Sequence, residues 1–191
     1  MIYALIKDGA IERINITLPT TIGSTSIPVG ATDLEQFGLV PIVGSEPVYD
    51  PATQRVSGPT YSFTGAVVER VYAVEDIPVE ELRARAAEQI ADRRWQAEVA
   101  GITVNGMAVA TDRDSQALIT GAALAAMRDP AYVCRWKTAG GFVELNAEQL
   151  TAVADTVRAH VQACFDREAA LLVELDGGTL TAEMIETGWP A

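Results

Sequence analysis

The first 76 residues carry the hydrophobic pattern of short strands separated by turns. Two apolar-rich segments, Ile2–Lys7 and Ala10–Ile16, flank Asp8-Gly9, a pair that tolerates the positive φ angles of a tight turn. This arrangement predicts a β-hairpin. Three further apolar runs predict more strands, over residues 39–43, 60–64 and 66–75. We therefore expect a β-rich N-terminal domain over residues 1–76.

Turn-forming residues fill the gaps between these strands. Threonine, serine, glycine and proline dominate residues 17–32, which we expect to be a loop and a candidate surface for contacting a partner. Residues 33–38 predict one helical turn that Thr32 or Asp33 caps and Gly38 ends.

Charged residues crowd the segment that follows Pro78, with acidic residues leading and basic residues trailing, as the helix dipole favours. This order predicts a helix that runs to about Val99 and ends at Gly101. A thin apolar stripe interrupts the charges, at Leu82, Ala86, Ile90 and Ala97. So thin a stripe is typical of an exposed helix, so we expect residues 77–100 to connect two domains.

Two more β-hairpins are predicted beyond this helix. Asn105-Gly106 lies between short apolar runs and predicts a hairpin over residues 102–109. Ala139-Gly140-Gly141 lies between runs of aromatic and β-branched residues and predicts another over residues 132–145.

Two helices accompany these hairpins. Small residues over 114–127 predict the first, with Thr111 or Asp112 as its N-cap. The second begins after Asn146 and runs to about residue 175, because apolar residues recur there at spacings of three, four and seven.

These elements define the fold class that we expect. The chain is α+β, with a β-rich domain over residues 1–76 that we expect to contact a partner, a connecting helix over 77–100 and a C-terminal module over 101–191. The module contains two β-hairpins and two helices, one of them long.

Charge and cysteine content exclude several classes of function. The formal net charge of −12 would repel a phosphate backbone, so we expect no nucleic-acid partner and interpret the acidity as favouring solubility. Cys134 and Cys164 are too few for a disulfide scaffold or a zinc site and are typical of a reducing cytoplasm. No apolar run approaches the roughly 18–20 residues that span a bilayer, so we expect no membrane insertion. The apolar start of the chain is too short for a signal peptide.

The chain offers few residues for catalysis or metal binding. Its single histidine, His160, lies in a helix without the sequence signature of a Ser-His-Asp triad, so we expect a partly buried residue satisfied by a neighbour or by water. Asp112 and Asp114 fit a helix start better than a calcium loop, whose ligand spacing is missing. We therefore expect no catalytic residues, no metal site and no cofactor.

Aromatic residues are the candidates for contacting a partner. Tryptophan often dominates interfaces, although a half-buried core role is more common for Trp95 and Trp136. Trp189 stands near the end of the chain with little local packing, so it must fold back onto its domain or meet another chain. We select three candidate partner-binding residues: Tyr49, Tyr61 and Trp189.

Four segments of the C-terminal half resemble a domain family of tailed bacteriophages. They match in order between residues 93 and 175: Arg94–Gly106, Thr111–Gln116, Trp136–Val143 and Arg158–Glu168. The family is the uncharacterised domain encoded beside tail-fibre genes, often described as a tail-fibre assembly protein or tail protein. Residues 49–54 and 57–61 also resemble the leader of such proteins.

The resemblance implies a non-enzymatic, protein-binding component of a phage tail-fibre module, because no catalytic residue set is associated with the family. The leading expectation is an assembly chaperone or a factor bound at the fibre tip, made in the host bacterial cytoplasm. Two alternatives stay open: a permanent virion protein of the baseplate or tail fibre, and a fibre tip that binds or cleaves glycans. A trimer would follow fibre symmetry, but the helices lack sustained heptads, so the oligomeric state is open.

Overall fold

The computed structural model describes residues 1–138 and 140–190 and confirms the α+β class. Strands dominate the N-terminal part of the chain and helices dominate the C-terminal part. The contacts divide the chain into two compact units, Met1–Pro78 and Val79–Ala191. The division falls at the proline that precedes the first helix.

A mainly antiparallel sheet forms the framework of the first unit. The strands of this unit are β1 (Tyr3–Lys7), β2 (Ala10–Ile16), β3 (Thr20–Ile22), β4 (Thr25–Ile27), β5 (Leu39–Val43), β6 (Gln54–Phe63) and β7 (Val68–Asp76). Five of them form one sheet in the order β2-β1-β5-β7-β6, in which β5 and β7 pair in parallel. Its centre buries Ala4, Val40 and Val68.

The predicted N-terminal hairpin is confirmed. β1 and β2 pair antiparallel with Lys7 opposite Ala10. Asp8 and Gly9 have φ angles of 52° and 77°, the left-handed conformation that a type I′ turn requires at both central positions.

The loop that we expected over residues 17–32 contains a second small hairpin. β3 and β4 pair antiparallel around Gly23-Ser24, and Ile27 of β4 is buried with Ile16 and Leu39. Gly-Ser between β-branched residues is itself typical of a hairpin turn. The expectation of a loop is therefore wrong for β3 and β4.

A 3-10 turn over Leu34–Phe37 takes the place of the predicted helical turn. Gly38 ends it with a φ angle of 73°, as predicted. Asp33 precedes it without a side-chain cap hydrogen bond, because its own backbone is left-handed. The predicted cap is therefore wrong and the predicted stop is confirmed.

The strand predicted at residues 60–64 begins earlier, at Gln54. β6 crosses Gly58-Pro59, where its pairing with β7 shifts register between Ser57 and Thr60. Proline has no N–H to donate, so it occurs within a strand where the ladder is interrupted. The proline hides this strand from a simple hydrophobic pattern.

In the described residues, the second unit contains four helices and two hairpins. The helices are α1 (Val79–Val99), α2 (Arg113–Arg128), α3 (Ala147–Gly177) and α4 (Ala182–Glu186). The hairpin strands are β8 (Ile102–Val104), β9 (Met107–Val109), β10 (Val133–Thr138) and β11 (Gly141–Asn146). The two predicted hairpins and two predicted helices are confirmed, although Ala139 of the second predicted turn lies outside the described residues.

Helix α1 is an integral part of the second unit rather than the exposed connector that we expected over residues 77–100. Ile90 of α1 forms one buried cluster with Leu171 of α3 and Ile185 of α4. Ile90 and Leu171 have no exposed surface. The apolar stripe of α1 is thin, yet α3 and α4 cover it.

Side-chain caps define where α2 and α3 begin. Asp112, rather than Thr111, caps α2 by accepting hydrogen bonds from the N–H groups of Asp114 and Ser115. The pKa of the Asp112 carboxyl is lowered, chiefly by the hydrogen bond from the Ser115 hydroxyl and next by the hydrogen bond from the Ser115 N–H. Asn146 caps α3 through a reciprocal capping box.

Candidate functional site

Glu98 is a buried carboxylate at the end of α1, with 1% of its surface exposed. Its Oε2 accepts a hydrogen bond from Arg94, one turn earlier on the same helix. Its Oε1 lies 3.2 Å from Nε of Arg113 and accepts a 3.1 Å hydrogen bond from Nε2 of Gln116. Both carboxylate oxygens are paired, which offsets the cost of burying the charge.

Thr111 joins the end of α1 to the start of α2. This residue is fully buried. Its hydroxyl donates a 2.5 Å hydrogen bond to the carbonyl oxygen of Glu98 and accepts a 3.0 Å hydrogen bond from the N–H of Gly101. Its own carbonyl accepts a 2.7 Å hydrogen bond from the Gln116 side chain. The segment predicted only as a helix start therefore also anchors α2 to α1.

Arg94 extends this polar network to α3. Its Nε lies 3.2 Å from Oε2 of Glu168, and its guanidinium carbon lies 4.6 Å from the ring centroid of Phe165. The side chain of Arg94 is 14% exposed. A planar guanidinium can pair with carboxylates and stack on an aromatic ring at once, so Arg94 connects α1 to α3.

His160 and Cys164 lie on α3 beside the network. Nε2 of His160 lies 3.1 Å from the carbonyl oxygen of Ala97 and 3.9 Å from Sγ of Cys164. The prediction that a neighbour satisfies His160 is confirmed, but the residue is buried rather than partly buried. Burial raises the pKa of the Cys164 thiol, and the negative charge of Glu98 adds to the effect.

The two cysteines should differ in their reactivity toward a thiol reagent. Cys134 is partly exposed, whereas Cys164 is fully buried and stays protonated, and the thiolate is the reactive form. A disulfide reagent should label one thiol of the native protein quickly and the second only as fast as the second unit unfolds. The Cys134→Ala variant should lose the fast phase. Rapid labelling of that variant would contradict the burial of Cys164.

A groove of about 830 Å³ opens in the second unit between the two hairpins and the start of α2. Backbone and side chains of β8 and β9 line one part, including Ile102 and Val109. Trp136 of β10 and Leu118 of α2 add further apolar surface. The groove therefore combines apolar walls with residues of three short strands, β8, β9 and β10.

Strand β10 brings two cations to the groove. Arg135 and Lys137 line it, and they alternate with Trp136, which packs into the core. In the adjacent strand, Phe142 lies opposite Lys137 and is 71% exposed, and Glu144 lies opposite Arg135. Directly opposed residues share one face of a hairpin. The hairpin therefore presents two cations and an exposed aromatic ring in a chain with a net charge of −12.

Among the described residues, β10 pairs with β11 alone, so one edge of β10 belongs to no ladder. Strands β8 and β9 likewise pair only with each other among these residues, so each has one edge outside any ladder. Unpaired N–H and C=O groups along a strand edge can accept another extended chain. The groove thus has the chemistry to bind an extended peptide segment.

The aromatic residues selected from the sequence lie in both units. Tyr49 of the first unit is 37% exposed, while Tyr61 packs against the buried cluster around Val68. Trp189 of the second unit folds back onto its domain, and its Nε1 donates a 2.6 Å hydrogen bond to the carbonyl oxygen of Ile185. Tyr49 therefore offers surface for a partner, and the binding role of all three stays a prediction.

Residues 1–138 and 140–190 contain neither a metal-binding group nor a membrane-spanning helix. No three His, Cys, Asp or Glu side chains in these ranges come together as a metal-binding group. The described helices include none with the length and apolar character needed to cross a membrane.

Residues 81–187, more than half of the chain, match the model of a family described as a domain of unknown function (DUF4376). The chain belongs to the DUF4376 family. The DUF4376 match begins in the first turn of α1 and ends just after α4, so it includes the polar network and the groove. No curated protein and no solved structure matches the chain.

Sequence reasoning missed the role of Glu98 within the DUF4376 domain. The pattern of α1 makes Glu98 one of many charges on a mostly polar helix. A signal was available in the i, i+4 spacing of Arg94 and Glu98, which predicts an ion pair. The partners on α2 and α3 could not be found this way, because they depend on which helices meet.

Proposed function

We propose that this DUF4376 protein is a non-enzymatic, protein-binding component of a tailed-phage tail-fibre module, acting as an assembly chaperone or as a factor bound at the fibre tip. The four segments that resemble tail-fibre-associated proteins lie within or overlap the elements that build the network and the groove. The observation that carries the proposal is the groove beside β10, with its free strand edge and its two cations.

The groove suits an extended, acidic segment of a fibre chain. Such a segment would pair its backbone with the edge of β10 and place carboxylates beside Arg135 and Lys137. Its apolar side chains would pack against Trp136 and Leu118. Holding one extended segment in this way would prevent it from pairing with the wrong chain before the fibre assembles, since an unpaired strand is prone to aggregate.

The proposal expects a tail-fibre gene beside the gene of this protein, and co-expressing the two proteins tests it. We expect soluble, assembled fibre to increase when the DUF4376 protein is present and a complex to be captured from the lysate through a tag on the fibre. Equal yields of assembled fibre with and without the protein would overturn the chaperone role. Absence of a complex in any condition would overturn the protein-binding role itself.

Removing the two groove cations tests the site. Each charge-assisted hydrogen bond contributes about 1.5–3 kcal/mol, so we expect Arg135→Gln/Lys137→Gln to weaken fibre binding at least about tenfold. Arg83→Gln/Arg158→Gln is the matched control, because it removes the same charge from exposed positions on α1 and α3. Binding that both double variants weaken equally would point to net charge rather than to the groove.

Mass spectrometry of purified virions separates a chaperone from a permanent tail protein, since only the latter stays in the particle.

A further inference from the structure

The outer face of α2 is unusually apolar for a surface helix. Leu118, Leu124 and Met127 are 65%, 58% and 74% exposed. No charged residue lies between Asp114 and Arg128. A helix that turns one face to water normally carries charges on that face. The uncharged face of α2 therefore lacks the usual character of a solvated surface.

Gly121 lies at the centre of this face. At 100° per residue it is directly opposite the side of α2 that buries Ile119 and Ala123. A Cβ at this position would meet nothing within 4 Å, and the backbone is ordinary helix. Glycine weakens a helix interior relative to alanine, and nothing within the single chain requires it here. Close approach of a second helix would require glycine here, because a larger residue would keep the two backbones apart.

We propose that two copies of this chain pair through α2, antiparallel, with their two-fold axis at Gly121. The sequence around this residue is symmetric in the way that such pairing needs. Leu118 and Leu124 lie three residues before and three after Gly121, and Asp114 and Arg128 lie seven before and seven after. At 100° per residue, Leu118 then lies beside Ala125 of the second copy and Leu124 beside Ala117, so each large side chain packs against a small one. Asp114 forms an ion pair with Arg128 of the second copy. Each of these contacts occurs twice, once on each side of the axis.

The symmetry points to a second copy rather than to a different protein. A two-fold interface requires that each residue meets a complementary one from the same surface, whereas an unrelated partner imposes no such relation. The smallest side chains of the face, Ala117, Gly121 and Ala125, are also spaced by four residues, and Ala117 and Ala125 exchange places about the axis. The chemistry of the face is therefore complementary to itself.

The size of the face sets the expected strength of the dimer. From Asp114 to Arg128 it is about 21 Å long and one helix wide, about 10 Å. A stable interface of standard size buries about 800 Å² on each partner, more than one helix face supplies. We therefore expect a weak, reversible dimer that is populated at high protein concentration.

Sedimentation velocity of the purified protein over a concentration series tests the dimer without any fibre protein, so its outcome is independent of the proposed function. We expect a monomer–dimer equilibrium, which Leu124→Glu shifts to monomer with a dissociation constant at least about tenfold higher. Leu124 is changed because Leu118 also lines the groove. Val173→Glu is the matched control, because Val173 is 70% exposed on α3 and should leave the equilibrium unchanged.

A charge exchange tests the antiparallel register. Arg128→Glu should weaken the dimer by bringing like charges together, and adding Asp114→Arg should restore it toward the original affinity. A protein that stays monomeric at every concentration would overturn the proposal, as would a trimer. A dimer that Leu124→Glu leaves intact, or that the exchange fails to restore, would overturn the α2 interface.

Discussion

Replacing Glu98 with alanine is expected to lower the free energy of unfolding of the second unit by about 3 kcal/mol. The substitution leaves Arg94, 14% exposed, with Glu168 as its remaining carboxylate and removes one of the two acceptors of the Gln116 amide. Breaking a buried ion pair costs more than its net contribution, because the remaining charge stays desolvated. The three tryptophans all lie in the second unit, so their fluorescence during urea unfolding measures the change.

Two further variants make this result specific. Glu88→Ala removes a carboxylate from an exposed position on the same helix and should change the free energy of unfolding by less than about 0.5 kcal/mol. Glu98→Gln keeps the shape and one acceptor oxygen, so its effect should lie between those of the two alanine variants. Equal destabilisation by Glu98→Ala and Glu88→Ala would show that the network does not stabilise the domain.

Replacing Leu171 with alanine is expected to destabilise the second unit by about 3–4 kcal/mol. Leu171 has no exposed surface and packs against Ile90 of α1 and Ile185 of α4, so the truncation leaves a cavity where three helices meet. Urea unfolding followed by tryptophan fluorescence measures the loss. Because Ile90 comes from α1, the result also tests whether α1 belongs to this core.

The neighbouring leucine supplies the control. Leu172 lies on the same helix and is 37% exposed, so Leu172→Ala should destabilise the unit by less than about 1 kcal/mol. This pair holds residue type and helix propensity constant and changes only the depth of burial. Similar losses for the two variants would contradict the packing of α1, α3 and α4 in one cluster.

The groove and the outer face of α2 meet at Leu118, because this residue lines the groove and is also exposed on the outer face of the helix. Pairing through α2 would therefore alter one wall of the groove. We expect dimerisation and fibre binding to influence each other, and by linkage the effect must be equal in both directions.

Local structure could be predicted where a few adjacent residues decide it. Asp8-Gly9 and Asn105-Gly106 adopt the positive φ angles that their turns require, and Asn146 caps α3 with its side chain. The hairpin of β3 and β4 carried a similar signal at Gly23-Ser24, but the surrounding threonines and prolines made the segment look like a loop. The strand predicted at the position of β6 was too short for a related reason, because Pro59 interrupts the hydrophobic pattern of this strand.

The sequence by itself determined the order of the longer strands and helices, the principal turns and the caps of α2 and α3, because each depends on backbone angles and hydrogen bonds within a few residues. Tertiary structure alone decided that α1 belongs to the second unit and that Glu98 is buried. The contacts responsible join residues far apart in the chain, such as Arg94 with Glu168, 74 positions away. A charged residue on a helix has the same local pattern whether water or another helix covers it, and only the packing of α1 against α2 and α3 distinguishes the two.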